Sequence, residues 1–245
     1  MNDYLYPLSK LIRRKGNEFV SKLNYSCSIV WIHDLPDPLP DHYVLYTDKI
    51  PNDDLIQHAD AVWFTSSSLL SQYRLQGHSK HAAFVPFAYD PSLVTSLSII
   101  HKDIDVLFYS ETITDRQKDI LNACHMKGLH VLHLKTDKIG LSLQPYWSRS
   151  KIVLSMHKEE KQNVNDLPKL IYPLANKITV VAELTQDSHF EKIFRNRIPI
   201  VPYDDLANVC YKLCQSISER KEWSETAYDF ITSAYKLEDF VEEAL

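Results

Sequence analysis

The sequence predicts an α/β protein with two Rossmann-like domains in tandem, of which the first is reduced. Short apolar runs that end in polar residues alternate with segments of helical periodicity, a pattern typical of a parallel sheet with crossover helices. This alternation stops and restarts once, near residues 91–103. With 245 residues, 44% of them hydrophobic, the chain is long enough to bury two small cores.

The first half of the chain contains four predicted strands. A helix is expected over residues 4–23. The segment DLPDPLPDH, after the first strand, is predicted to be a loop, because proline is excluded from helix interiors and central strands. Asn52 or Asp53 is expected to cap a short helix, and Gly77 to end a longer one. The predicted strands are SIVWIHD, YVLYTD, AVWFTS and AAFVPFAYDP.

The second half repeats the pattern with longer helices. Thr114 is expected to cap a helix that Gly128 ends, and Pro168 to lie in the first turn of another. The predicted strands are IDVLFYSE, LHVLHL, KIVLSMH, KITVVAE and IPIVPY, followed by the helix DDLANVCYKLCQSISERKEW and an amphipathic terminal segment. We expect a first Rossmann-like domain at 1–98, a second at 99–222, and a C-terminal helix at 223–245 that packs back on the first domain.

Composition narrows the possible functions. A net charge of -5 gives no global attraction to nucleic acid or anionic lipid. The N-terminus carries charges throughout, and no segment approaches the roughly 18 apolar residues of a membrane span. A cytoplasmic location is therefore expected. The four cysteines are too scattered for a zinc knuckle or a disulfide framework.

The chain has only four glycines, at positions 16, 77, 128 and 140. This excludes both the GxGxxG dinucleotide fingerprint and the P-loop, since each needs closely spaced glycines for backbone approach to phosphate. Any nucleotide must then be held by side chains and helix ends.

One predicted strand, Ile178 to Ala182, runs directly into polar residues. Ligands of open α/β sheets bind at the carboxyl ends of strands. The Glu183 carboxylate suits paired hydroxyls of a ribose or sugar, and Thr185 and Asp187 offer further hydrogen bonds. Asp187 could instead cap the next helix.

Four stretches of the second half occur in the order DVLFYSETITDRQKDIL, YWSRSKIVLSMH, LPKLIYPLANKITVVAEL and VPYDDLANVCYKL. In this order they resemble the C-terminal domain of GT-B glycosyltransferases, in particular family 4-like and CgeB-type proteins. The first half is similar more loosely, through ADAVWFTSSSLLSQY and VPFAYDP. The resemblance implies that residues 1–98 form an acceptor-side domain and residues 99–222 a nucleotide-sugar-binding domain.

The resemblance implies transfer of a sugar from a nucleotide sugar, UDP- or GDP-linked, to a glycan, glycoconjugate or other acceptor. It implies retention of configuration and no metal or other cofactor. Nucleic acid is not expected as a partner except as an acceptor, and a homodimer could complete the cleft of the short first domain. The alternatives are a catalytically inactive GT-B-like module that binds a nucleotide or a protein, and a tandem flavodoxin- or regulator-like protein.

The resemblance also supplies candidate donor-binding residues. Ser110 and Thr112 precede a helix with Arg116 in its first turn, a plausible diphosphate contact, although ordinary capping and a solvated arginine give the same pattern. Glu183 lies where the family binds ribose and donor sugar, so it is a catalytic as well as a donor-binding candidate. The other donor-binding candidates are His157, Lys169, Tyr172, Thr185 and Asp187.

His33 and Asp34 end the first predicted strand beside the proline-dense loop. In an inverting enzyme one of them could serve as general base, and in a retaining enzyme they would shape the acceptor cleft. Departures from the family pattern include Ser110 for glycine, Ser155 for asparagine and Lys169 for arginine. These departures favour the inactive module among the alternatives.

Overall fold

The structure is a computed structural model that describes residues 11, 28–32, 35, 37–95, 101–136, 140–159, 167–185 and 188–245. The chain divides into two compact units, one formed by Met1–Asp90 with Lys236–Leu245 and the other by Pro91–Tyr235. The expected helix over residues 4–23 lies almost entirely outside the described residues. The expected domain boundary between residues 98 and 99 also lies outside them and stays a prediction.

Among its described residues, the first unit has a four-stranded parallel sheet in the order β1-β2-β3-β4. Every residue of β2 and β3 is buried, as expected for parallel strands with both faces covered. The strands are β1 (Ser28–Trp31), β2 (Tyr43–Thr47), β3 (Ala61–Phe64) and β4 (Ala82–Phe84).

Two helices, α1 (Asp53–His58) and α2 (Ser67–Leu75), connect these strands. Asn52 caps α1 by accepting a hydrogen bond from the Leu55 N–H at 2.9 Å. Gly77 follows α2 with a φ of 80°, a conformation that favours glycine at helix ends. Strand β4 is shorter than predicted because Pro86 has no N–H with which to continue a ladder.

The second unit has a five-stranded parallel sheet among its described residues, in the order β6-β5-β7-β8-β9. The chain moves from β5 outward to β6 and then returns to the other side of β5, so the strand order reverses between β5 and β7. The strands are β5 (Ile104–Ser110), β6 (Val131–Lys135), β7 (Ser150–Ser155), β8 (Thr179–Glu183) and β9 (Ile200–Val201).

The helices of the second unit pack in pairs, α3 against α7 and α5 against α8. Cys124, Cys210 and Cys214 are buried in the core shared by α3, α7 and the sheet. In chain order the helices are α3 (Asp115–Met126), α4 (Gln144–Trp147), α5 (Leu167–Ala175), α6 (Ser188–Phe194), α7 (Leu206–Gln215) and α8 (Ile217–Ala234).

The helical C-terminal region is divided differently from the sequence expectation. The single helix predicted to continue through Trp223 is broken at Ser216, whose hydroxyl caps α8 by accepting from the Glu219 N–H at 3.2 Å. The last helix, α9 (Leu237–Ala244), belongs to the first unit. There Phe240 meets Phe84 edge-on, with 5.6 Å between ring centroids. None of the described helices is both long and apolar enough to cross a membrane.

Candidate functional site

The reversal of strand order between β5 and β7 creates a topological switch point in the second unit. At such a point the loops after the two strands leave on opposite faces and open a crevice at their carboxyl ends, where ligands of α/β sheets bind. Three predicted site residues come from this edge. Arg116 lies in the first turn of α3 after β5, His157 follows β7, and Glu183 ends β8.

Arg116 and Glu183 form a two-point ion pair at this edge. Arg116 Nη1 donates to Glu183 Oε2 at 2.9 Å, and Arg116 Nη2 donates to Glu183 Oε1. The Glu183 side chain is 6% exposed and the Arg116 side chain 20%. The planar guanidinium matches a carboxylate in this geometry, and the two charges neutralise each other.

The main chain of His157 contacts both members of the ion pair. Its N–H donates to Glu183 Oε2 at 2.9 Å, and its carbonyl accepts from Arg116 Nη1 at 3.3 Å. The Glu183 carboxylate therefore accepts hydrogen bonds from a side chain and from the backbone at once. The sequence predicted all three as candidate site residues, which stays a prediction, and it did not predict that they contact one another.

The His157 imidazole is buried beside the pair, with 4% of the residue exposed. Among the described residues, its Nε2 has no hydrogen-bond partner. Burial lowers the pKa of His157, the Arg116 charge lowers it further, and Glu183 opposes both. The ring is thus neutral near pH 7, with one nitrogen a donor and the other an acceptor.

The loop after β7 is fastened to the start of α3. Thr114 Oγ1 donates to the Lys158 carbonyl at 3.2 Å, and Gln117 Nε2 donates to the Met156 carbonyl at 3.3 Å. Arg116 donates to the carbonyl of His157, which lies between these two. Three successive carbonyls of the loop, those of residues 156, 157 and 158, therefore accept hydrogen bonds from the first turn of α3. Thr114 and Gln117 also form the capping box of α3, so the turn that carries Arg116 is itself fixed.

Tyr203 is a contact of Arg116 that was not predicted as a site residue. It begins the 3-10 turn Tyr203–Asp205 after β9. Its ring centroid lies 3.8 Å from Arg116 Cζ, and its hydroxyl donates to the Arg116 carbonyl at 2.6 Å. In the segment VPYDDL an aromatic residue directly follows the end of a strand, which is a position where ligand contacts are common. Nothing in the sequence indicated that this residue contacts Arg116.

Lys169 and Tyr172 lie on α5, and their side chains differ in environment. Lys169 is partly exposed, with its Nζ 6.0 Å from the centroid of the Tyr109 ring. Tyr172 is 1% exposed and packs near Trp147, with 6.4 Å between ring centroids. The predicted ligand contacts of both residues stay predictions.

The other predicted site residues are distributed as follows. Ser110 is buried, with its Oγ 3.3 Å from His133 Nε2. Thr112 is exposed and Thr185 is buried. His33, Asp34 and Asp187 lie outside the described residues, so their roles stay predictions. Within the described part of the chain, no group of three or more His, Cys, Asp or Glu could hold a metal ion.

No family model matches the chain, and no curated protein matches it. Solved structures do. Sucrose-phosphate synthase from Thermosynechococcus elongatus is 10% identical with a TM-score of 0.59, over 93% of this chain and 74% of that one. HepE from Anabaena, in complex with UDP and glucose, is 10% identical with a TM-score of 0.59, and the match covers 96% of this chain and 81% of HepE.

A third neighbour, TarM, is 12% identical with a TM-score of 0.59, and the match covers 92% of this chain and 56% of TarM. A structure of TarM from S. aureus is also among the matches. This chain thus spans little more than half the length of TarM. These neighbours are GT-B glycosyltransferases. The chain shares their fold of two Rossmann-like domains in tandem, and the predicted fold class is confirmed. At 10 to 12% identity, the likeness establishes the fold alone.

Proposed function

We propose that this protein is a glycosyltransferase that moves a sugar from a UDP- or GDP-linked donor to a glycan, glycoconjugate or other acceptor. The observation that carries the proposal is the cluster of Arg116, Glu183 and His157 at the switch point of a GT-B-like unit. In such sheets this edge receives the nucleotide. Solved structures with this fold include HepE in complex with UDP and glucose.

The chemistry requires stabilisation of a leaving nucleoside diphosphate. The bond between the anomeric carbon and the diphosphate oxygen breaks, and its electron pair stays on that oxygen. The acceptor oxygen bonds the anomeric carbon and gives its proton to the departing diphosphate oxygen. Arg116, in the first turn of α3, brings a guanidinium and the positive end of a helix to the edge where this negative charge develops.

Retention of configuration and independence of metal ions are parts of this proposal. They follow from the resemblance to family 4-like glycosyltransferases, where basic side chains and helix ends act on the diphosphate. Arg116 has this role in the proposal, and Lys169 is the second candidate cation.

His157 supplies a further argument for a ligand at this edge. A buried ring nitrogen without a partner is rare in folded proteins, because removing a polar group from water without a new hydrogen bond is unfavourable. A donor hydroxyl or phosphate oxygen at this edge would satisfy Nε2. We therefore assign His157 a direct contact with the donor.

One observation favours a second candidate, an inactive GT-B-like module that binds a nucleotide or a protein. The Arg116 charge is already balanced by Glu183, so the pair brings no net positive charge to a diphosphate. An inactive module needs to bind its ligand but not to stabilise a leaving group.

Binding and turnover measured together test the proposal. Thermal-shift assays with UDP, GDP, CMP, dTDP and their sugar conjugates should show stabilisation by one nucleotide family, since a ligand specific for the folded state raises the midpoint. His157→Gln should reduce that shift, and exposed His125→Gln on α3 should not. Slow release of the nucleoside diphosphate from the matching sugar nucleotide, unaffected by chelator, supports the enzyme.

The two candidates give different outcomes in this assay. Stabilisation without any release or transfer would support the inactive module. No stabilisation at millimolar nucleotide would overturn the donor site itself.

A further inference from the structure

Tyr203 touches Arg116 at two separate places. The Tyr203 ring covers one face of the guanidinium, at 3.8 Å from Cζ to the ring centroid. The Tyr203 hydroxyl donates to the main-chain carbonyl of Arg116 at 2.6 Å. One residue therefore holds both ends of Arg116, the charged group and the backbone from which it extends.

These contacts complement those of Glu183 and His157. Glu183 accepts from both Nη atoms at one edge of the guanidinium, and the His157 carbonyl accepts from Nη1. Because the guanidinium is planar, contacts to one face and one edge set its position and its orientation together. Tyr203 and Glu183 approach from different elements, the turn after β9 and the end of β8.

We propose that Tyr203 is a positioning residue that, together with Glu183, holds the Arg116 guanidinium in the orientation in which it meets the donor diphosphate. This inference rests on the proposed function. It also gives Glu183 a different primary role from the one expected from sequence, because its carboxylate orients the arginine instead of accepting hydroxyl groups.

The energetic reason is the flexibility of arginine. A long side chain that is ordered only when ligand binds loses rotamer entropy at that moment, which weakens binding. An arginine already ordered by an aromatic face and a carboxylate avoids this loss. Tyr203 should therefore strengthen contacts to the phosphate that Arg116 reaches and leave the rest of the nucleotide unaffected.

The competing explanation is that Tyr203 only packs, since it also lies against the apolar core under α3 and α7. The two explanations predict different effects of a Tyr203 substitution on the affinities for different nucleotides. A packing role would change the affinities for all nucleotides alike. A positioning role changes the ratio between the affinities for UDP and UMP, because only UDP carries the second phosphate.

The test is calorimetric titration of the wild type, Tyr203→Leu and Tyr203→Phe with UDP and UMP, or with GDP and GMP if guanine is the base. Tyr203→Leu should lower the UDP-to-UMP affinity ratio about tenfold, the scale of a partly desolvated cation–π contact. Tyr203→Phe keeps the ring and should lower the ratio less. Tyr211→Leu is the matched control, a tyrosine on α7 whose ring lies 5.9 Å from Lys127 Nζ.

Each outcome decides the question. A ratio lowered by Tyr203→Leu and unchanged by Tyr211→Leu supports the positioning role. An unchanged ratio, or equal loss for both nucleotides, overturns it while the donor site stands. If Tyr203→Leu does not fold, the ratio in Tyr203→Phe decides in the same way. A wild type that binds neither nucleoside diphosphate overturns the donor site and this role together.

Discussion

Arg116 and Glu183, 67 residues apart in sequence, are joined by two hydrogen bonds between oppositely charged groups in a largely buried position. The carboxylate also accepts the His157 N–H, so it has partners on two sides. Taking two charges out of water is unfavourable, and an ion pair offsets that loss only when its geometry is good. The pair is therefore expected to specify the conformation of this edge more than to add net stability.

Glu183→Ala should lower the free energy of unfolding by about 3 kcal/mol, because it leaves the Arg116 charge without its partner. The double variant Arg116→Met, Glu183→Leu should recover part of this loss, since neither charge then remains. Urea denaturation of Arg116→Met, Glu183→Leu and the double variant, each compared with the wild type, measures the coupling. Additive losses would contradict the pairing.

The exposed pair Lys118–Asp115 is the matched control on the same helix. Its side chains are 52% and 93% exposed, and its Nζ–Oδ1 distance is 2.8 Å. Removal of Asp115 should change stability far less than removal of Glu183, because exposed ion pairs are screened by solvent and contribute little.

The sequence was informative about strands and strand ends but not about pairing between side chains. The runs IDVLFYSE, KIVLSMH and KITVVAE predicted β5, β7 and β8 because buried parallel strands are apolar along their whole length. The helix start after the first run indicated Arg116 as a candidate, and the ends of the other two runs indicated His157 and Glu183. Each was expected to meet a ligand separately.

The contact between those candidates depends on sheet order, which periodicity does not give. Arg116 and Glu183 meet because β7 lies between β5 and β8, an order set by long-range packing. Tyr203 was missed for the same reason, since its partner lies 87 residues away. The break at Ser216 was missed because the helical pattern continues across it, while a local serine cap starts a new helix.

The pH dependence of stability should report the burial of His157. Burial, aided by the Arg116 charge, lowers its pKa in the folded state below the ordinary 6.5. Below pH 6.5 the unfolded chain takes up a proton that the folded chain does not, so stability falls as pH falls from 6.5 toward the folded pKa. One such group contributes at most about 1.4 kcal/mol per pH unit.

His157→Gln should therefore flatten the decline in unfolding free energy below pH 6.5, measured by denaturant titration at several pH values. His133→Gln should act in the same direction, because burial also lowers the pKa of His133. Exposed His125→Gln serves as the control variant. Equal slopes in the wild type and His157→Gln would contradict a neutral, buried His157.

Asn176 is a second buried polar centre of this unit, and its amide is fully used. Its Oδ1 accepts from the N–H and the hydroxyl of Thr95 at 2.8 and 2.9 Å. Its Nδ2 donates to the carbonyls of Leu93 and Tyr172, both at 2.9 Å. Asn176 thus ties the segment around residues 93–95 to the end of α5.

Asn176→Asp should destabilise the protein by about 3 kcal/mol at neutral pH, because it removes both donors and places a carboxylate against two carbonyls. The loss should shrink as pH falls, since a protonated carboxyl regains one donor. Asn122→Asp, at an exposed position on α3, is the matched control. A pH-independent loss at Asn176 would contradict this account.

Gly140 and Gly128 share an unusual backbone conformation but differ in surroundings. Their φ angles are 81° and 80°. A Cβ on Gly128 would have no atom within 4 Å, whereas one on Gly140 would lie 2.9 Å from Tyr172 Cζ. Alanine at either position meets the same backbone strain, about 1–2 kcal/mol for a left-handed residue. Only alanine at Gly140 also collides with a ring.

Gly140→Ala should therefore destabilise the protein more than Gly128→Ala. The difference between the two losses should be about 1–3 kcal/mol, the usual range for overpacking a core. Tyr172 has little freedom to move away, since it is 1% exposed and packs near Trp147. In a Tyr172→Leu background the collision is removed, so the difference between the two alanine variants should shrink. Thermal and urea unfolding of the four variants measure this coupling. If the difference persisted without the Tyr172 ring, backbone strain specific to residue 140 would be its cause, and Tyr172 would be free to shift without loss of stability.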